Sequence, residues 1–352
     1  MSRTMKISGV RRRLPFALAL AAAGALAVAL GGSAATAAPA AKVKLKVFAA
    51  YATQIEEPWD GVIHAALVKE QKAGKIDYSF TDDIGYSGNM ERVLREAAAK
   101  NKPDVIFGDA FGNEDAVRRV AKAFPTIAFV FGSGGGPAGP NFAVFDNWIH
   151  EPAYLLGWLA GSLTKHNKVG IVAGYPVPEV NRLANAFIAG AHAANPKAVA
   201  KVTFINSWFD PATAKEAALA QIGAGVDAIY AERAGVIEAA VQKNVYAFGN
   251  MSDQKATGPQ NVVSSAVWNM TPTVRYVIRQ VRGGTFTGQD LKDFSMMGQG
   301  GASLAPVNAG AKGGIAGKLV AKVKQLTAKI NAGTLRVDIN EAQPSGSVSV
   351  TK

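Results

Sequence analysis

The sequence contains no cysteine and only four histidines among its 352 residues. The absence of cysteine excludes disulfide bonds, thiolate nucleophiles and cysteine-ligated metal sites. The histidines are dispersed, and no two of them stand four positions apart as a helical zinc site would require: His64, His150, His166 and His192. We therefore expect neither a bound metal nor a cofactor.

Motifs of common enzyme chemistry are also missing. The glycine-rich stretch "GSGGGPAG" is followed by the strand-like "PNFAVF" rather than by the helix that would receive a dinucleotide phosphate. There is no G-x-S-x-G elbow, and no histidine follows a predicted strand beside a serine. Glu56, Glu57 and Asp60 lack a second acid on another loop, as glycoside hydrolysis would need. The sequence favours a binding protein over an enzyme.

Residues 1–37 are typical of a secretory signal peptide. Five basic residues precede an apolar run from Leu14 to Leu30, and small residues suited to cleavage near Ala35 to Ala37 follow. An uncleaved membrane anchor is the alternative interpretation of this segment. A mature chain without cysteine cannot be a lipoprotein, so we expect a periplasmic or secreted protein.

The basic excess of the chain is modest once this segment is set aside. Removing its five basic residues leaves 33 of the 38 lysines and arginines against 26 acids. These residues are dispersed and do not alternate with aromatics, so we expect no nucleic-acid partner.

Apolar strands alternate with helices along most of the remaining chain. Runs such as "PDVIFGDA" and "KVGIVAG" predict buried strands, and stretches such as "GNMERVLREAAAKN" predict the helices between them. This alternation is typical of parallel sheets covered on both faces, and it occurs twice. We predict one lobe from residues 41–148 plus about 266–295, a second from 149–265 plus about 296–336, and a loosely ordered tail at 337–352.

Aromatic residues and acids follow several of the predicted strands. Parallel sheets bind ligands at the carboxyl ends of their strands, where such loops converge. Aromatic faces combined with acids suit a flat heteroaromatic ligand bearing N–H donors. The aromatic candidates for the site are Trp59, Phe111, Trp208, Phe209 and Trp268. Asp210 is a further candidate, although it also suits an N-cap for the helix that begins at Pro211.

Several motifs resemble those of the basic membrane protein family, which includes the purine-nucleoside receptor lipoproteins. They are "RRVAKAFP", "PVPEVNRLANAFIAGAHAANP", "NSWFDP", "YAFGNMSDQ" and "SSAVWNMTP", and they occur in family order between Val43 and Pro306. The resemblance implies an α/β, type I periplasmic-binding-protein fold, in which hinge crossovers join two doubly wound parallel-sheet lobes. It also implies that aromatic side chains hold a purine in the cleft between the lobes.

The resemblance assigns roles to individual positions. Trp208 matches a base-stacking aromatic, Trp59 lies in the loop that offers the opposite face, and Trp268 with Asn269 matches the segment "WNW" of the family. Met251 stands where the family has an acid that contacts ribose, which favours a free base such as adenine over a nucleoside. Asp253 of the same loop remains a candidate. Glu232 and Arg233 lie at a predicted strand end, where they are either ligand contacts or a solvated pair.

The function implied by this resemblance is that of a solute-binding receptor for an ABC importer. Such a receptor would capture a purine base or nucleoside by closing its lobes, and it would then deliver the ligand to the permease subunits of the inner membrane. The alternative is an exported sensor of the same fold that binds another small planar or polar ligand and is not coupled to transport.

Overall fold

The computed structural model describes residues 44–350. The predicted signal peptide at 1–37 lies outside the described residues. Within the described range, every helix is too short or too polar to cross a membrane.

The first sheet is parallel and is covered by helices. Its strands are β1 (Leu45–Ala50), β2 (Ile76–Thr81), β3 (Val105–Asp109), β4 (Ala128–Gly132) and β5 (Phe142–Phe145), and its helices are α1 (Pro58–Lys72), α2 (Asn89–Glu96) and α3 (Glu114–Ala123). The strands lie in the order β2-β1-β3-β4-β5. Along β3, Val105 and Phe107 join one buried cluster and Ile106 joins another. Both faces of the sheet are buried, which explains why its inner strands are continuous apolar runs.

The second sheet contains seven strands in the described chain. They are β6 (Lys168–Ala173), β7 (Val199–Phe204), β8 (Ala228–Ala231), β9 (Tyr246–Gly249), β10 (Val262–Trp268), β11 (Ala302–Leu304) and β12 (Val348–Ser349), in the order β11-β10-β9-β8-β6-β7-β12. Only β11 is antiparallel to its neighbour within this set. The accompanying helices are α4 (His150–Leu163), α5 (Pro178–Ala194), α6 (Pro211–Gly223) and α7 (Val236–Lys243). We call the five-stranded sheet with its helices the first lobe and the seven-stranded sheet with its helices the second lobe.

The chain passes between the lobes after β5, after β10 and again before β11. Between the last two crossovers, α8 (Thr271–Arg282) packs against α1 of the first lobe. There Arg275 Nε donates to Oε1 of the buried Glu70 at 2.7 Å. After β11, α9 (Gly317–Asn331) packs against α4 of the second lobe. The C-terminal part of the chain therefore contributes elements to both lobes.

Two helices begin next to the gap between the lobes, and each start is marked in the sequence by an acid followed by a proline. Glu57 caps α1, where its Oε2 accepts from the backbone N–H groups of Trp59 and Asp60. Asp210 caps α6, where its Oδ1 accepts from Thr213 N at 3.1 Å. Each cap is followed by a proline in the first turn, whose fixed φ suits a helix start. These two starts position Trp59, in the first turn of α1, and Trp208, in the loop before α6.

Residues 337–350 differ from the loose tail predicted for this region. Arg182 of α5 forms an ion pair with Glu341 at 2.9 Å, and Asn185 Nδ2 donates to the carbonyl of Ala342 at 2.7 Å. Further on, β12 extends the second sheet by pairing in parallel with β7. Most of these contacts are made to backbone carbonyls of the segment, so its polar composition gave no signal of order.

Candidate functional site

A cleft lies between the lobes, where loops from the carboxyl ends of both sheets meet. The atom-free space of the cleft, including the part open to solvent, is about 340 Å³. The residues that line it are Thr53, Glu57, Trp59, Tyr86, Asp109, Phe111 and Ser133 from the first lobe and Glu179, Trp208 and Arg233 from the second. Both lobes are thus needed to form this site.

Trp208 lies where the two lobes meet. Its ring contacts Phe111 of the first lobe edge-on, with centroids 5.1 Å apart and planes at 89°. Tyr175 of its own lobe is 4.8 Å away, and the guanidinium of Arg233 lies 5.4 Å from the centre of a Trp208 ring. An aromatic pair and a cation–π contact therefore hold the indole beside the cleft.

Trp59 contributes an indole to the wall formed by the first lobe. The side chain is only 6% exposed. It stacks on Phe145 at 5.8 Å and 16°, and it contacts Trp268 at 5.1 Å. A Cβ added at Gly132 would lie 1.9 Å from Cη2 of Trp59, so the indole occupies space that only glycine leaves open. The Trp59 indole N–H has no hydrogen-bond partner in the described chain.

A buried ion-pair network joins the lobes beside the cleft. Arg233 Nη1 donates to Glu57 Oε1 at 3.1 Å, and Arg233 Nη2 donates to Glu232 Oε1 at 2.6 Å. Burial alone would lower the pKa of Arg233, but the charges of Glu232 and Glu57 raise it. Burial raises the pKa of Glu57, whereas Arg233 and the N–H groups at the start of α1 act in the opposite direction. Because Glu57 belongs to the first lobe and Arg233 to the second, this contact stabilises the closed arrangement.

Two further carboxyl groups lack such a cation. Within the described chain, neither Asp109 nor Glu179 forms an ion pair at 4 Å or less. Burial, together with the charge of Asp146, raises the pKa of Glu179 to about 8. Burial, together with the charge of Asp60, raises the pKa of Asp109. Ser133 Oγ of the first lobe donates to Glu179 Oε2 at 3.2 Å. The cleft is therefore rich in acceptors.

Three of the aromatic residues predicted from the sequence line this cleft: Trp59, Phe111 and Trp208. Phe209 does not line it, and its side chain is 47% exposed. Trp268 lies behind Trp59 and donates from Nε1 to Ser295 Oγ at 3.3 Å.

The predicted polar candidates have structural contacts beside the cleft or away from it. Asp210 caps α6, and Glu232 binds Arg233 behind the cleft wall. Asn269 Oδ1 accepts from Thr271 N at the start of α8. The remaining two candidates, Met251 and Asp253, belong to the loop after β9: Met251 is buried beside Asn147 Nδ2, and Asp253 Oδ1 accepts from Lys255 N in a turn.

Reasoning from sequence missed six lining residues as site candidates: Thr53, Glu57, Tyr86, Asp109, Ser133 and Glu179. Each lies in or beside a loop at the end of a predicted strand, and this position is the sequence signal that could have identified it. Ser133 also has a φ of 54°, which is uncommon for a residue other than glycine. Across the described chain, no cluster of three or more His, Asp or Glu side chains is placed to hold a metal ion.

Two α/β lobes with a cleft between their strand ends define the type I periplasmic-binding fold. The chain superposes on an ABC transporter solute-binding protein of Conexibacter woesei with a TM-score of 0.68 and 25% identity, covering 84% of this chain and 98% of that one. The fold predicted from the sequence is confirmed.

The sequence model of one family matches residues 49–295, and that family is described as ABC transporter substrate-binding protein PnrA-like. The chain therefore belongs to the Bmp family, and the resemblance identified in the sequence is confirmed. A putative ABC transporter glucose-binding protein of Haloferax volcanii is 36% identical over 198 residues, covering 56% of this chain and 50% of the relative. A purine-binding protein of Brucella abortus is 32% identical over 225 residues, covering 63% of each chain. The matches thus span about half to two thirds of these relatives.

Proposed function

We propose that this chain is the substrate-binding receptor of an ABC importer and captures a purine base or purine nucleoside between its lobes. The observation that carries the proposal is a single cleft with aromatic walls from both lobes, Trp59 and Phe111 from one and Trp208 from the other. A planar ring gains stacking contacts from such walls. Membership of the Bmp family and the purine-binding relative support this choice.

A free base such as adenine is the favoured ligand. The position where the resemblance places a ribose-binding acid holds Met251, which is 1% exposed. The sulfur of Met251 lies 3.7 Å from Asn147 Nδ2 in the interior of the protein. A thioether is a weak hydrogen-bond acceptor, so it would not compensate a sugar hydroxyl for the hydrogen bonds to water that the hydroxyl loses on binding.

Capture proceeds by closure of the lobes around the ligand. Three interlobe contacts are made in the structure: Phe111 with Trp208, Ser133 with Glu179, and Glu57 with Arg233. Opening the lobes would break all three and separate the aromatic walls. A ligand that touches both walls binds the closed state better than the open state, so it shifts the population toward closure.

The protein would act outside the cytoplasm, as a periplasmic or secreted receptor that delivers its ligand to a permease in the inner membrane. A sensor that uses the same fold without a transporter is the alternative. Uptake of labelled adenine by cells with and without the gene separates the two roles. A receptor is required for uptake at low adenine concentration, whereas loss of a sensor leaves uptake intact.

A sugar is the second candidate ligand, because the relative at 36% identity is named as a putative glucose-binding protein. Carboxylates accept from sugar hydroxyls as they do from N–H groups, and an indole packs against the C–H face of a pyranose. The two candidate ligands differ in shape, because a purine is a flat ring with two π faces and a sugar is not.

Calorimetric titration of the purified protein with adenine, adenosine and glucose tests the proposal. We expect adenine to bind and to be recovered unchanged. Trp208→Ala should weaken adenine binding by about 1–3 kcal/mol, the usual contribution of one base–aromatic stack. Phe209→Ala is the matched control, because Phe209 is the adjacent aromatic and is exposed outside the cleft. Binding of glucose without binding of any purine would overturn the proposal.

A further inference from the structure

Asp109 and Glu179 face the cleft from opposite lobes. Asp109 is the last residue of β3, and Glu179 lies in the first turn of α5. Backbone N–H of Phe111 donates to Asp109 Oδ1 at 2.9 Å, and Ser133 Oγ donates to Glu179 Oε2 at 3.2 Å. We call Asp109 and Glu179 the acceptor pair.

The closed cleft has too few donors for the acceptor pair. Ser133 has one hydroxyl proton and can serve only one carboxylate oxygen at a time. No hydrogen bond from residues 44–350 reaches Oε1 of Glu179, and Arg233 is already committed to Glu57, Glu232 and the carbonyl of Trp208. Burial, together with the charges of neighbouring acids, raises the pKa values of both carboxyl groups, so a ligand that donates hydrogen bonds would have to offset this preference for the protonated form.

The wall of the cleft also contains a buried hydrogen-bond donor. Trp59 lines the cleft at 6% exposure, and its Nε1 donor has no partner in the described chain. Buried polar groups are almost always hydrogen-bonded in native proteins. The Trp59 donor and the acceptor pair together indicate a polar ligand that completes both sets of hydrogen bonds.

We propose that the acceptor pair sets the ligand specificity of the cleft, selecting neutral or cationic ligands that present hydrogen-bond donors and rejecting anionic ones. This inference rests on the proposed function only in taking the cleft as the ligand site. The test compares two purines. Adenine is neutral and has donors in its amino and ring N–H groups, whereas urate is a planar purine that is an anion at neutral pH. Because the pKa values of both acids are raised in the closed cleft, an anion either meets like charge on the carboxylates or binds only if the acids take up protons.

The test replaces each acid by its amide, with Asp109→Asn and Glu179→Gln, and measures both ligands by calorimetry at pH 7. Each amide keeps the size of the side chain, removes the carboxylate that a donor-rich ligand would stabilise, and presents a permanent donor in its place. We expect adenine to bind on the order of 10- to 100-fold more weakly to each variant, as loss of a charge-assisted hydrogen bond predicts. Urate binding should become stronger, so that the ratio of the two affinities shifts further than either affinity does.

Asp253→Asn is the matched control. It removes one carboxylate from a turn of the second lobe, where Asp253 accepts from Lys255 N and does not line the cleft. We expect this variant to keep the adenine-to-urate ratio of the wild type. A thermal unfolding midpoint for each variant separates altered specificity from loss of folded protein.

A second ligand pair separates failure of this inference from failure of the proposed function. If the wild type binds glucose and no purine, the proposed function is wrong, and the same variants are measured with glucose against its anionic analogue glucuronate. The inference then predicts that glucose is preferred and that the amide variants reduce this preference. A wild type that binds the anionic member of either pair as tightly as the neutral one would overturn it. The inference would also be overturned if the amide variants bound both members of a pair more weakly by the same factor, or if the protein bound none of the four ligands.

Discussion

The ion pair between Glu57 and Arg233 gives the most direct access to the energetics of closure. Glu57 Oε1 and Arg233 Nη1 are 3.1 Å apart, and the two residues are only 3% and 5% exposed. Glu57→Gln removes the charge while leaving an amide oxygen that can still cap α1. A charge-assisted hydrogen bond contributes about 1.5–3 kcal/mol. Arg233 keeps its contact with Glu232, so the variant does not incur the larger free-energy cost of an isolated buried charge.

If only the closed state holds the ligand, this loss translates directly into affinity. Adenine should then bind about 10- to 100-fold more weakly to Glu57→Gln than to the wild type. Small-angle scattering of the ligand-free variant should show a larger radius of gyration, because the open population rises. Glu91→Gln is the control, since Glu91 pairs with Arg95 and Arg119 on the surface of the first lobe. Wild-type affinity together with a wild-type scattering curve for Glu57→Gln would refute this account of closure.

Two further predictions concern pH. Burial, together with the charge of Asp146, raises the pKa of Glu179 in the closed cleft to about 8 from 4.5, so the empty closed form binds an extra proton and should become less stable as pH rises from 4.5 to 8. Scattering of the ligand-free protein from pH 5 to 9 should show expansion, and a pH-independent radius would contradict this. Burial, aided by Arg182, lowers the pKa of His150 to about 4 from 6.5, so unfolding free energy should fall by about 3 kcal/mol as pH drops from 6.5 to 4. Denaturant titrations of His150→Phe should show a shallower decline over this range, and an unchanged slope would count against it.

Much of the fold follows from short-range patterns in the sequence. Continuous apolar runs such as Val105–Asp109 predict strands buried on both faces, and Pro58 and Pro211 mark helix starts. The order of strands within each sheet and the return of α8 to α1 depend on contacts between distant residues, which no local pattern encodes. The residues after Arg336 illustrate the same limit, because their order comes from Arg182 and Asn185 of α5.

The candidate site was only partly predictable for a related reason. Trp59, Phe111 and Trp208 follow strands and are large enough to reach a cleft from that position. Asp109 and Glu179 also follow strands, but an acid in a first helical turn or at a strand end usually has a local structural role. Only the packing of Ser133 and Glu179 from opposite lobes shows that they face the same space.

The central claim is that one cleft, closed by both lobes, holds a flat ligand rich in hydrogen-bond donors. Mass spectrometry of the small molecules released when the purified protein is denatured tests this claim most directly. The account predicts a stoichiometric heteroaromatic base such as adenine, at lower occupancy in a Trp208→Ala preparation made in parallel. Release of an anionic or non-planar molecule in its place would contradict it.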